Sequence, residues 1–89
     1  MREIARTTRF ARSYKRLPRY VKDDLDRKLQ LLVEQSRHPL LHIHKLKGSL
    51  QECFAINLRD GYRALFIETN DAILLIDVGP HDRYDRWSL

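Results

Sequence analysis

Cysteine is almost absent from this chain: Cys53 is the single one among 89 residues. An intramolecular disulfide is therefore excluded, and the composition fits a reducing compartment, so the cytoplasm is the default expectation. Long apolar runs are missing too. The longest, Ala72 to Ile76, falls far short of the roughly 20 residues a membrane helix needs. Arginines stud the N-terminus without an apolar segment behind them, so no secretory signal is expected. Glycine and proline occur three times each, with no phosphate-binding loop, dinucleotide fingerprint, repeat or low-complexity tract. No Ser-His-Asp order points to a hydrolytic triad, and Cys53, mid-strand, is a poor nucleophile.

What remains is a single domain spanning residues 1–89, with a core small enough that support from a partner would be unsurprising. Hydrophobic residues make up 43% and charged residues 33%, the balance of a small soluble globular protein. The net charge of +5 is unevenly placed. Residues 1–47 hold thirteen Lys or Arg against five Asp or Glu; residues 48–89 hold four against seven. A basic first half implies an anionic partner, either nucleic acid or an acidic protein segment, or else a solvated helical surface.

Periodicity predicts the elements. Arg2 to Arg6 reads as a short edge strand with Ile4 inward. Thr7 or Thr8 can cap a helix in which Phe10, Tyr14 and Leu17 share a face, and Pro18 ends it. Pro18 also suits the first turn of a second helix, whose early part carries Asp23, Asp24 and Asp26. Val21, Leu25, Leu29, Leu32 and Val33 form its apolar stripe, and Pro39 stops it. Leu40 to Lys47 reads as a connector. From Glu52 to Leu58 the period becomes two, with Phe54, Ile56 and Leu58 on one face. Asp60-Gly61 predicts a two-residue type I′ hairpin turn into a strand over Tyr62–Glu68. Ala72–Val78 is the last strand, leaving the sheet at Gly79. The fold class is therefore α+β, in the order β-α-α-β-β-β. A helical hairpin lies on one face of a three-stranded antiparallel meander, and the other face is covered by something else or open.

Chemistry concentrates in two places. The segment Ile76-Asp77-Val78-Gly79-Pro80-His81-Asp82-Arg83-Tyr84 delivers an imidazole, a carboxylate, a guanidinium and a phenol in four consecutive residues. Gly61-Tyr62-Arg63 puts an arginine near the start of the preceding strand. Together with His44-Lys45-Leu46-Lys47-Gly48, these segments resemble the RelE/ParE toxin superfamily, and the His-bearing tail is closer to its RelE and YafQ branches. The resemblance covers almost the whole chain. It implies a RelE-like microbial ribonuclease-type fold and a toxin of a type II toxin-antitoxin system. Such a toxin enters the ribosomal A site, cuts mRNA without a metal or other cofactor, and is neutralised by a cognate protein antitoxin. The antitoxin complex often binds operator DNA. The alternative within the same superfamily is a ParE-like, non-catalytic inhibitor of DNA gyrase.

On the resemblance, Arg63 matches the strand arginine at the scissile phosphate, and His81 the tail histidine or arginine used in catalysis. Tyr84 falls near a C-terminal aromatic that stacks on or deprotonates the substrate, and His44 where YafQ-like members carry a functional histidine. Asn57 stands where relatives carry lysine or histidine, and Ala55 departs likewise. The chemistry suits these groups. Self-cleavage of RNA needs a base for the 2′-hydroxyl, a cation for the developing phosphorane charge and an acid for the 5′-oxygen. Histidine, with a reference pKa of about 6.5, offers both protonation states near neutrality, and His81 is assigned the acid role. Arg63 braces the phosphate, its structural alternative being a cross-strand salt bridge to Glu52 or Asp77. Tyr84 is a stacker, a base or an aromatic lid; Trp87 stacks on a base or packs on the sheet. Lys45 and Lys47 contact phosphates or stay solvated, and Asn57 is a substrate contact. Glu52 is a weak candidate base. His42, His44 and His81 make only a scattered zinc set, and no metal is expected.

Overall fold

The computed structural model describes residues 3–35, 37–45 and 53–80. Strand β1 (Glu3–Arg6) is followed by helices α1 (Thr8–Lys15) and α2 (Arg19–Glu34), then by a short turn of 3-10 helix at Pro39–Leu41. Strands β2 (His44–Lys45), β3 (Phe54–Asn57), β4 (Tyr62–Glu68) and β5 (Ala72–Pro80) complete the order. The sheet runs β1-β5-β4-β3-β2. β2 to β5 pair antiparallel with their neighbours, whereas β1 joins β5 in parallel, an arrangement that the long crossover through α1 and α2 permits.

The helices begin and end for identifiable reasons. Thr7 caps α1, its hydroxyl accepting the Phe10 N–H at 3.0 Å while donating to the Ile76 carbonyl at 2.8 Å. One threonine thus starts the helix and ties it to β5. Pro18 is the residue that opens α2 from outside, not part of its first turn, and that first turn carries no acidic residue. α2 ends at Glu34, five residues before Pro39; Pro39 instead starts the 3-10 turn, with the His38 imidazole accepting the Leu40 N–H. Val21, Leu25, Leu29 and Leu32 are buried as their spacing predicts, and Val33 is half-buried.

Two apolar layers follow from the alternation of the strands. Ile56, Leu58, Ala64, Phe66, Ile73, Leu75 and Val78 join Phe10 and the α2 stripe in the main core. Cys53, Ala55, Leu65 and Ile76 form a second buried cluster on the opposite face. That second face is therefore not an open surface where these four lie.

Three local expectations are corrected. The positive φ angles do fall at Asp60 (53°) and Gly61 (77°), but the hairpin closes one residue further out. Leu58 N–H donates to Tyr62 O at 2.7 Å, making a three-residue connection through Arg59–Gly61. Gly79 does not end β5; the strand continues through it to Pro80, with Gly79 opposite Arg63 and Pro80 opposite Tyr62. Finally, the stretch read as a connector contains β2, a two-residue strand too short to leave a periodic signal.

The turn between β3 and β4 is held from α2. Asp24 lies on the inward face of that helix, and its side chain is 7% exposed. Its carboxylate accepts the Arg59 N–H at 3.0 Å and pairs with Lys28 at 3.2 Å and Arg27 at 3.3 Å. Lys28 Nζ also donates to the Asn57 carbonyl at 2.8 Å. Tyr20 completes the hold: its hydroxyl donates to Asp60 at 2.6 Å, and the Arg59 guanidinium sits 5.7 Å from its ring centre. The bond to Asp60, and then desolvation, raise the Tyr20 pKa above its ordinary value near 10. Tyr14 is raised as well, by desolvation first and then by its hydrogen bond to Asp26.

Removing the Asp24 carboxylate would strand a backbone donor and a partly buried ammonium. Asp24→Ala is expected to cost about 2–4 kcal/mol in urea unfolding. A loss below about 0.5 kcal/mol, the level of an ordinary surface change, would contradict the tie. The tyrosines make a pH prediction. Each phenol donates only while protonated, and each folded-state pKa lies above the unfolded value. Their contribution is complete below pH ~10 and disappears as pH rises through the raised values. Melting temperature between pH 9 and 11.5 should fall more steeply for wild type than for Tyr20→Phe; equal slopes would show that the Asp60 bond contributes nothing.

Candidate functional site

β3, β4 and β5 lay three positions side by side. Asn57 pairs with Arg63, and Arg63 pairs with Gly79. Directly opposed residues of antiparallel strands share a face, with Cβ atoms about 4.5–5.5 Å apart. Tyr62 and Ala64 pack against the helix-side core, so Arg63 between them belongs to the other face, as does Asn57 between Ile56 and Leu58. Arg63 and Asn57 are both half-buried, and Gly79 is buried.

A bulge decides which residue stands beside Arg63. The ladder pairs Phe66 with Leu75 but Leu65 with Asp77, so Ile76 is the extra residue. An unbroken ladder would have set Val78 against Arg63. The bulge instead delivers Gly79, which brings no side chain to that flank. It also lets the consecutive residues Asp77 and Val78 both serve the helix side. Asp77 is fully buried; its carboxylate accepts a short hydrogen bond from Ser13 and the Val78 N–H at 2.8 Å, and pairs with Arg9 at 3.2 Å. The carboxylate weighed as a partner for Arg63 is thus engaged by α1, with three donors offsetting its burial.

The remaining sequence candidates separate. His44 occupies the register position opposite Ala55, two strands from Arg63. Lys45 is exposed and stands opposite Phe54, which packs against the helix-side core, so its register places it on the face away from Arg63. His81, Tyr84, Trp87, Lys47 and Glu52 lie outside the described residues. His42 takes a left-handed conformation (φ 48°, ψ 47°), which removes the extended segment that would have aligned it with His44. Among the described residues no three His, Cys, Asp or Glu side chains cluster as a metal site.

Sequence reading missed the α2 residues that hold this row. Asp24 and Lys28 fall at i+3 and i+7 from Val21, on the inward stripe, and charged residues at inward helical positions are the signal that would have found them. A cavity of about 580 Å³ opens between β1 and the two helices, its lining both apolar (Ile4, Phe10, Leu29) and charged (Arg6, Lys15, Asp26). No described helix is long and apolar enough to cross a membrane.

What this arrangement can do chemically is hold an anion. Arg63 offers a planar fork of donors, in a row that sets a glycine on one flank and a short amide on the other. Arg59 is exposed at the adjoining turn, but its guanidinium lies over Tyr20 on the helix side, away from Arg63.

The sequence matches no family model and no curated protein. Solved structures do resemble the fold. The crystal structure of YafQ from E. coli strain BL21(DE3) superposes with a TM-score of 0.80 at 15% identity, covering 94% of this chain and 98% of that one. A chain of the intact E. coli RelBE toxin-antitoxin complex gives 0.72 at 25% identity, over 90% and 96%. The YoeB/ParE toxin from Agrobacterium tumefaciens gives 0.75 at 12%, over 89% and 98%. A mixed sheet of order β1-β5-β4-β3-β2 under an N-terminal helical hairpin is the architecture these proteins share with the chain, and it is the fold of the RelE/ParE toxin superfamily.

Proposed function

We propose that this protein is the toxin of a type II toxin-antitoxin pair and a metal-independent endoribonuclease that cuts mRNA in the ribosomal A site. The observation that carries the reading is the Asn57–Arg63–Gly79 row. It supports a guanidinium held on the sheet face away from the helices, at the end of β5 from which the chain runs on to His81. Gly79 faces Arg63 across a ladder spacing of about 4.5–5.5 Å, and two peptide steps of about 3.8 Å each reach His81. Covalent geometry alone therefore keeps the two Cα atoms within about 13 Å, a span that an arginine and a histidine side chain together can close around one phosphate.

In this mechanism Arg63 grips the scissile phosphate and stabilises the charge that develops on the phosphorane. The 2′-oxygen attacks phosphorus, and the bond from phosphorus to the 5′-oxygen breaks. His81 protonates the departing 5′-oxygen, while His44 or Tyr84 takes the proton from the 2′-hydroxyl. Lys47 meets flanking phosphates and Trp87 stacks on a base; Lys45, on the other face, belongs to a longer-range electrostatic contact. The antitoxin brings acidic groups to the basic first half of the chain and covers apolar surface with a helix or strand. The RelBE assembly, described as a toxin-antitoxin complex, supports a partner of that kind.

The resemblance to a protein described as a YoeB/ParE toxin keeps one rival, a gyrase poison on the same scaffold. Cell-free translation separates the two. Wild type is expected to stop synthesis and leave cut mRNA. Arg63→Ala and His81→Ala should each reduce cutting by about 10²-fold or more, the scale of one lost acid or charge-stabilising group. Intact mRNA with arrested DNA supercoiling would establish the rival instead.

A further inference from the structure

We propose that the pocket at the turn between α2 and β2 is a separate phosphate site, which holds a backbone phosphate of the RNA strand flanking the one that is cut; that occupant rests on the ribonuclease reading above. The pocket has a volume of about 260 Å³ and is lined by Arg37, His38, Pro39, His42 and Ile43. No acidic residue is among these. Arg37 is exposed, and no carboxylate pairs with it among the described residues. An unneutralised guanidinium in an acid-free concavity attracts an anion.

The His38 ring decides between an anion and a metal cation. Its Nδ1 accepts the Leu40 N–H at 3.1 Å, the bond that caps the 3-10 turn. A ring nitrogen that accepts carries no hydrogen, so the hydrogen of this imidazole sits on Nε2. Nε2 is then a donor and not a metal ligand; in metal-bound imidazoles the nitrogen turned away from the metal donates instead. The backbone keeps the ring where it is. The His38 N–H donates to the Gln35 carbonyl at 2.9 Å, and the His38 carbonyl accepts the Leu41 N–H at 3.1 Å. The outer oxygens of a phosphodiester only accept, so a guanidinium beside an Nε2–H is the matching pair of donors.

The place of the pocket in the sheet names the source of the phosphate. β2 is the edge strand next to β3, and the chain enters it from the pocket, at the end of β3 that carries Asn57. β4, with Arg63 at its start, lies two strands away. Two strand spacings of about 4.8 Å each are on the scale of neighbouring phosphates in an extended polynucleotide. A strand crossing the sheet from Arg63 past Asn57 thus brings a flanking phosphate to the β2 edge. Pro39 and Ile43 give its sugar an apolar surface there.

The test uses the full chain and two probes: inorganic phosphate, and a 2′-O-methylated RNA pentanucleotide that cannot be cut. Both are expected to shift the NMR signals of the Arg37 side chain, the His38 ring and the Leu40 amide. A pentanucleotide whose phosphates, except the central one, are uncharged methylphosphonates should leave these signals still. Arg37→Gln should bind the charged RNA about 2- to 5-fold more weakly, the scale of one exposed ion pair. Its slope of log affinity against log salt should fall by about 0.7, the share of one phosphate on a single strand, and Arg37→Lys should restore the slope. His38→Asp keeps an acceptor for the Leu40 N–H but replaces the donor with an anion. It should melt at the wild-type temperature and lose the response to both probes.

A pocket silent to both probes, an unchanged salt slope in Arg37→Gln, or a His38→Asp variant that still responds would each overturn the proposal. A pocket that answers inorganic phosphate but not RNA would make it a site for the free ion and overturn the RNA assignment. If mRNA is cut on ribosomes while the pocket stays silent, this inference alone fails. If the pocket binds RNA as described and no mRNA is cut, the ribonuclease reading fails and the phosphate site stands.

Discussion

One carboxylate organises the Arg63 side of this molecule. Asp24 points inward from α2, where an apolar side chain would ordinarily sit, and its charge is balanced by Lys28, Arg27 and the Arg59 N–H. Burying an anion this far is unfavourable unless each lone pair finds a donor, and here the donors come from two separate elements. The consequence is directional. A helix that must satisfy Asp24 has to stand over the β3–β4 turn at one fixed height. Lys28 then reaches the Asn57 carbonyl, and Tyr20 reaches Asp60. The register of β3 against β4, and with it the pairing of Asn57 with Arg63, is fixed from outside the sheet as well as by the ladder. A hydrophobic contact, being non-directional, would not specify the register so closely.

A second buried carboxylate sets the other flank of the row. Asp77 follows the bulge at Ile76 and is turned toward α1, where Ser13 and Arg9 receive it. The bulge costs a regular ladder step and shifts the phase of β5 by one residue. Through that shift a glycine rather than a valine comes to stand beside Arg63. Two charged residues in the core thus have a similar logic. Each is tied to one helix of the hairpin, and each fixes one neighbour of the same arginine.

Much of the fold is legible in the sequence, and the reasons for success and failure are physical. The 3.6 period of Val21, Leu25, Leu29 and Leu32 and the alternation from Phe54 to Leu58 report burial directly, so both helices and the three long strands are readable. β2 escapes because two residues carry no period. The length of the turn escapes because Asp60 and Gly61 supply the same left-handed φ angles to a two-residue and a three-residue connection. Gly79 is misread because a glycine that ends a strand and one that sits next to a large side chain look alike without the bulge. As for the site, Arg63 and Asn57 are found on one face, but Lys45 falls on the other because β2 pairs it with Phe54. The α2 clamp is invisible to residue-type reasoning, which takes Asp23, Asp24 and Asp26 together as helix-start charges. Only the inward phase of Asp24 separates it from its neighbours.

In the proposed reaction a phosphodiester held by Arg63 is broken by its own 2′-oxygen, and a proton is delivered to the departing 5′-oxygen. The most direct check is the chemistry of the fragment ends. Messenger RNA cut by the purified protein on ribosomes should carry a 2′,3′-cyclic phosphate, or the 3′-phosphate formed when it opens, on the upstream piece and a free 5′-hydroxyl on the downstream piece. Fragments ending in a 3′-hydroxyl and a 5′-phosphate would mean that water, not the ribose, attacks phosphorus, and would contradict the account.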